Sequence, residues 1–307
     1  MKMTRNLKGN LFLFIAALFW GSTFVAQEMA AKQYHVGAFS YQSTRMLVGA
    51  IVLLPLIWFM SYKSKKNGTY KKPTKENKKT LIIAGIVCGT VLCIASNLQQ
   101  FAIADKNTNS GKIAFITAMY IIIVPIIYFF FGNKVKLKVI VAAFLGAIGL
   151  YFLSVKADSF SVSYGDLLGM LCALGFSAHI LVVDYFGPKV DGIKLSSLQF
   201  FVCGIEALIP TVLIEKPSFE SLLNCWGPIL YAGIFSCGIA YTFQILGQQN
   251  TNPTIASIIM SFESVFGVLT GIIILNNIPT VRETIGCIIM FVAIILSQLP
   301  NRKKTTN

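Results

Sequence analysis

The sequence predicts an all-α membrane protein of ten transmembrane helices, arranged as two inverted five-helix repeats. Three observations predict it. Of 307 residues, 55% are hydrophobic and only 12% are charged, about half the charge of an average soluble chain, which is too little to cover a water-facing surface. Apolar stretches recur along the whole chain at about the 20 residues that a spanning helix requires. The second half of the chain echoes the first. The even apolar content also excludes a disordered chain, a coiled coil and a disulfide-stapled domain.

In order, the apolar segments are 9–30, 38–60, 80–104, 111–131, 138–154, 165–186, 195–214, 227–248, 253–275 and 282–299. The first has the basic start of a secretory signal, but it is too long and carries Trp20, and nine more apolar segments follow, so it is expected to be retained. Pro55, Pro125 and Pro210 fall inside the second, fourth and seventh segments and should bend them, because proline removes a backbone donor. Gly85/Gly89, Gly165/Gly169 and Gly267/Gly271 have the GxxxG spacing that lets helices approach closely.

The excess of 26 basic over 12 acidic residues would suggest nucleic acid in a soluble protein. Here the basic residues cluster between apolar segments instead. Residues 61–80, SYKSKKNGTYKKPTKENKKT, carry eight lysines and the single acid Glu76. With this loop and both termini in the cytoplasm, the inner connections collect nineteen of the 26 basic residues. The outer ones keep Lys32, Lys106, Lys112, Lys156, Lys216 and Arg282. The positive-inside rule therefore orients the chain with both ends cytoplasmic, and no nucleic-acid partner is expected. The seven cysteines form no CxxC pair and only two histidines occur, so neither disulfides nor a metal site is expected.

The internal repeat is the most informative feature. Gly9-Asn10-Leu11 aligns with Gly165-Asp166-Leu167, Gly49–Pro55 (GAIVLLP) with Gly204–Pro210 (GIEALIP), and Ala84-Gly85-Ile86 with Ala232-Gly233-Ile234, while Gly146 corresponds to Gly286. The units are residues 1–158 and 159–307. Five spans is an odd number, so the second unit enters the bilayer from the opposite side. That is the inverted repeat from which alternating-access carriers are built.

The run AALFWGSTFV in the first helix resembles the drug/metabolite transporter superfamily, specifically its EamA-like branch. So do Arg45 early in the second helix, IAFITAMYIIIVPIIYFF in the fourth and NTNPTIASIIMSFESVFGVL in the ninth. The resemblance spans both repeats and implies a central cavity lined by the first, third and fourth helices of each half. The pattern differs in places. Gly132-Asn133-Lys134 and Leu275-Asn276-Asn277 stand where an acid commonly follows the fourth and ninth helices, and Ser264 replaces the usual proline of the ninth.

Polar groups within the spans should face protein or water, because lipid cannot solvate them. Glu263 shares a stripe of mostly small residues with Ala256, Met260, Gly267 and Thr270, which suits a cavity wall. His179 aligns with Thr23 and, as a side chain that titrates near neutrality, is a candidate for a proton role. Asn97 and Gln100 on the third helix, Thr117 and Tyr120 on the fourth, and Tyr241 and Gln244 (followed by Gln248) on the eighth would form a polar and aromatic pocket, with Trp20 as a stacking wall. Glu28 and Arg45 are expected to pair in a structural or gating role. Pro125 is grouped with them, and Glu206 is expected to partner a neighbouring helix outside the cavity.

No HExxH, closely spaced aspartate pair or glycine-rich phosphate loop is present, which argues against an integral-membrane enzyme and leaves no cofactor to expect. The sequence thus points to a secondary carrier of the inner or plasma membrane for a small neutral, zwitterionic or amphipathic organic solute. Export of an amino acid or drug-like solute is the first expectation. Uptake of a vitamin, nucleobase-like compound or amino acid is the second. Proton coupling through Glu263 or His179 is a further expectation, and no oligomeric state is implied.

Overall fold

Lipid offers no partner to a backbone N–H or C=O, so each apolar stretch must satisfy its own as a helix, and side-chain caps mark where the helices begin. The computed structural model describes residues 5–70, 72–154, 163–275 and 280–299. Asn276 and Asn277, together with Lys2, Lys71, Lys156 and Arg302 to Lys304, lie outside the described residues. The helices are α1 (Arg5–Glu28), α2 (Ala38–Lys66), α3 (Lys75–Ala104), α4 (Ser110–Ala118), α5 (Tyr120–Phe130), α6 (Leu137–Ser154) and α7 (Tyr164–Phe186). They continue with α8 (Gly192–Pro210), α9 (Phe219–Asn224), α10 (Trp226–Tyr231), α11 (Thr242–Gln248), α12 (Pro253–Met260), α13 (Glu263–Leu275) and α14 (Val281–Gln298). There is no strand among the described residues.

Among the described residues seven helical stretches are long and apolar enough to cross a membrane, and three shorter apolar helices, Leu137–Phe152, Pro253–Gly267 and Thr284–Ser297, fall in the remaining predicted segments. Two predicted helices are interrupted near their middles. The break between α4 and α5 is at Met119, whose ψ of -9° tightens the turn. That between α12 and α13 falls at Ser261 and Phe262. Pro125 lies inside α5, beyond the first break. The predicted eighth span is composite: α10, a π-helical stretch Ala232–Tyr241, then α11. Shorter π-helical turns close α1 (Met29–Gln33) and α8 (Thr211–Glu215).

The caps are local side chains. Thr74 Oγ1 accepts from Asn77 N (3.1 Å) and Asn109 Oδ1 from Lys112 N (2.8 Å). Ser163 and Asp166 form a reciprocal capping box at the start of α7. α2 is capped from a distance: the Glu215 carboxylate accepts from Phe39 N (3.0 Å) and Ser40 N (2.7 Å). A carboxylate at a helix start satisfies orphan donors and the helix dipole together.

Contacts between the two halves come in matched pairs. α6 packs on α14, and α2 on α8. α3 packs on α7 and α8, while the Ala232–Tyr241 stretch packs on α1 and α2. α4 and α5 pack on α7, as α12 and α13 pack on α1. Gly9 meets Gly247 O and Thr251 Oγ1, while its aligned partner Gly165 meets Ala102 O and Thr108. The predicted close approaches fall at these contacts: Gly85 and Gly89 face Leu198 and Val202 of α8, Gly169 faces Ile113 and Ile116 of α4, and Gly267 lies beside Gly21 O.

Apolar side chains turn outward. Trp58, Phe130, Phe131, Leu213, Ile214 and Trp226 are all exposed, while Gln42, Ser96, Gln100, His179 and Gln199 are fully buried. Such a distribution suits a lipid exterior around a polar interior. Trp58 and Tyr62 stack at 5.9 Å beside the lysine-rich connection, where an interfacial aromatic belt is expected.

Candidate functional site

The buried polar side chains converge on a narrow central cavity of about 30 Å³, room for about two waters. Its wall draws Trp20, Thr23, Phe24 and Gln27 from α1, Arg45 from α2, Gln99 from α3, Thr117 from α4 and Tyr120 from α5. The other half supplies Phe176 and Ile180 from α7, Ser236 and Tyr241 from the π-helical stretch, Gln244 from α11, Met260 from α12 and Glu263 from α13. The repeat alignment of the first helices pairs Trp20 with Phe176 and Phe24 with Ile180, so α1 and α7 present equivalent positions to one space. The charged groups lack such counterparts: the alignment that pairs Gly49 with Gly204 sets Phe200 opposite Arg45.

One side of the wall is an amide ladder. Gln27 Nε2 donates to Gln99 Oε1 (3.0 Å), Gln99 Nε2 to Thr117 Oγ1 (3.4 Å), and Gln100 Nε2 to Gln27 O (3.0 Å). Tyr241 anchors an aromatic cluster, with Trp20 edge-on at 4.7 Å, Phe200 at 5.9 Å and His179 at 6.0 Å. Glu263, 5% exposed, begins α13 just after the helix break, and its Oε1 accepts from Tyr120 Oη at 2.9 Å. Arg45 donates through Nε to Gln42 Oε1 (2.8 Å), and its guanidinium lies 5.5 Å from the Tyr41 ring centre. Trp20 Nε1, Arg45 Nη2 and Gln244 Oε1 are buried without a hydrogen-bond partner among the described residues.

Of the residues singled out in the sequence, Trp20, Thr23, Thr117, Tyr120, Tyr241, Gln244 and Glu263 stand in the wall. Asn97, Gln100 and His179 do not. Asn97 turns back to Cys93 O (2.8 Å). Gln100 supports Gln27 from behind. His179 bonds Gln199 Oε1 through Nε2 (3.1 Å) and sits behind Tyr241.

The Glu28–Arg45 pair does not form. Glu28 binds Lys32 (3.3 Å) and accepts from Ser110 N (3.2 Å) where α4 begins, whereas Arg45 enters the cavity. Glu206 accepts from Thr90 Oγ1 at 2.6 Å, joining α8 to α3 away from the cavity. Gln27, Gln99 and Phe176 join the wall without having been singled out. Gln27 extends the α1 face of Trp20, Thr23 and Phe24 by one turn, and Phe176 is legible as the aligned partner of Trp20. Among the described residues no group of three or more His, Cys, Asp or Glu could hold a metal ion.

The sequence matches the model of the EamA-like transporter family over residues 7–155 and 163–299. An uncharacterized transporter of Clostridium kluyveri is 24% identical over 303 residues, covering 96% of this chain and 94% of its own. Another, from Archaeoglobus fulgidus, is 24% identical and covers 96% and 87%. The uncharacterized transporter YwfM of Bacillus subtilis is 24% identical over 97% and 98%. A solved crystal structure superposes with a TM-score of 0.74 at 17% identity, covering 94% of this chain and 96% of that one, which shows a shared fold.

Proposed function

The chain belongs to the EamA-like transporter family, and from that premise we propose that it is a secondary carrier of the cell membrane. It moves a small organic solute through the central cavity by alternating access. The observation that carries this reading is the narrow polar and aromatic cavity bounded by both halves. The matched inter-half contacts and the two separate family matches support two inverted repeats of similar packing. Such a pair can close either mouth of one cavity in turn. At about 30 Å³ the cavity cannot hold an organic solute, so loading requires the halves to part.

Export is the direction we place first, with an amino acid or drug-like solute as cargo, and uptake is the alternative. The termini and lysine-rich connection lie in the cytoplasm. Proton coupling falls to Glu263, the acid in the wall; His179, behind Tyr241, is a packing residue. The full-length protein in proteoliposomes, loaded with a defined mixture of amino acids and other small metabolites, tests the reading. Protein-dependent loss of a subset of those solutes, measured by mass spectrometry and altered by an imposed pH gradient, is expected. Release indistinguishable from protein-free vesicles in both orientations would end the carrier reading.

A further inference from the structure

The cavity wall contains a charge that the protein leaves unanswered. Arg45 is 2% exposed and lies in the wall. Among the described residues the ion pairs are Lys32–Glu28, Lys112–Asp166 and Lys194–Asp191, none of which involves Arg45. Its Nε is held by Gln42 and its plane is steadied by Tyr41, yet its Nη2 has no acceptor. A buried guanidinium is strongly unfavourable unless an anion answers it. Glu263, the acid of the same wall, is engaged by Tyr120.

We propose that Arg45 is the docking point for a carboxylate on the transported solute, which places the cargo among small organic monocarboxylates with an apolar body. The proposal rests on the carrier reading above and narrows its substrate class. A guanidinium fixed at Nε offers its remaining edge for forked hydrogen bonding to a planar carboxylate. Among the described residues the wall contains no second basic residue, so it answers one negative charge and not the two of a phosphate monoester. Trp20, Phe24, Phe176, Ile180 and Met260 of the same wall present rings and aliphatic groups to the rest of the solute. Arg45 is thus a binding residue, and Gln42 positions it.

Thermal unfolding of the purified full-length protein in detergent tests this with matched probes: L-leucine, 4-methylpentanoate and 3-phenylpropionate, the primary amide of each, and phenyl phosphate. At least one carboxylate is expected to raise the unfolding midpoint while its amide and phenyl phosphate do not. Arg45→Gln should weaken that carboxylate about 10- to 100-fold, as expected for losing hydrogen bonds to a charged group, and Arg45→Lys should weaken it less. Circular dichroism and monodispersity establish that each variant folds. Should Arg45→Gln not fold, the carboxylate-against-amide comparison on the wild-type protein decides. The proposal is overturned by amides that stabilise as well as acids, by phenyl phosphate binding best, by no carboxylate binding, or by folded Arg45→Gln retaining full affinity. Carriage of amides or amines alone would remove this inference and leave the carrier intact. Carboxylate binding without any flux would do the reverse.

Discussion

Gly21 of α1 and Glu263 of α13 meet backbone to backbone: a methyl group on Gly21 would lie 2.5 Å from the Glu263 carbonyl oxygen and 2.7 Å from Gly267 N. The contact places the acid of the cavity wall directly against the helix that carries Trp20, Thr23 and Gln27. Movement of α1 relative to α13 therefore acts on Glu263 without an intermediary.

Because those atoms are backbone, no rotamer change can relieve the crowding. Gly21→Ala should lower stability by about 1–3 kcal/mol, the usual cost of overpacking, seen as a fall in the thermal midpoint. Gly227→Ala, where nothing lies within 4 Å, should leave the midpoint nearly unchanged. Equal effects would contradict the contact.

The Tyr120–Glu263 hydrogen bond gives the proposed proton coupling a test in the cavity wall. Glu263→Gln should remove the response of solute flux to an imposed pH gradient while downhill exchange of solute persists. Tyr120→Phe should keep the response and displace its pH profile, because one hydrogen bond to the acid is lost. A gradient response that survives Glu263→Gln unchanged assigns coupling elsewhere.

At the end of the bundle away from the lysine-rich connection, Lys112 Nζ lies 2.6 Å from Asp166 Oδ2 and joins α4 to α7. The Asp166 side chain is 4% exposed but that of Lys112 is 32% exposed, so solvent screens part of the attraction. Asp166→Asn should cost about 1–2 kcal/mol, combining the pair with the capping box. Lys112→Gln should cost less, and the double variant should fall short of the sum. Strict additivity in thermal midpoints would show that the two do not interact.

Orientation is testable with cysteines at Asn67 and Asn107, both exposed and located in the connections before and after α3. Asn67→Cys should react with a membrane-impermeant maleimide only after cells are opened. Asn107→Cys should react on intact cells. The reversed pattern would invert the topology.

The spans are legible because length and apolarity alone identify a lipid-crossing helix, whereas the caps Thr74 and Ser163 emerge only from the structure. Helix faces were harder. A one-residue error rotates a helical side chain by about 100°, which is why Gln99 takes the wall position expected of its neighbour Gln100, and Ile180 that expected of His179. Arg45 was paired with Glu28 from proximity along neighbouring spans. The fold gives Glu28 to Lys32 and Ser110, and the chain carries no signal for the start of α4 arriving there. Glu215 capping α2 from another helix is likewise a tertiary event.

The wide winding of Ala232–Tyr241 leaves the last property to draw out. Tightening a π-helical turn into an α-helical one shifts the register of everything beyond it, by about 100° and 1.5 Å for each residue absorbed. Tyr241 and Gln244 sit at the downstream end of that stretch, and Gly233 at its start lies against the Arg45 carbonyl oxygen. The two halves share a plan but differ in winding: α3 is α-helical throughout and has no comparable reserve, whereas the aligned stretch Ala232–Tyr241 is π-helical.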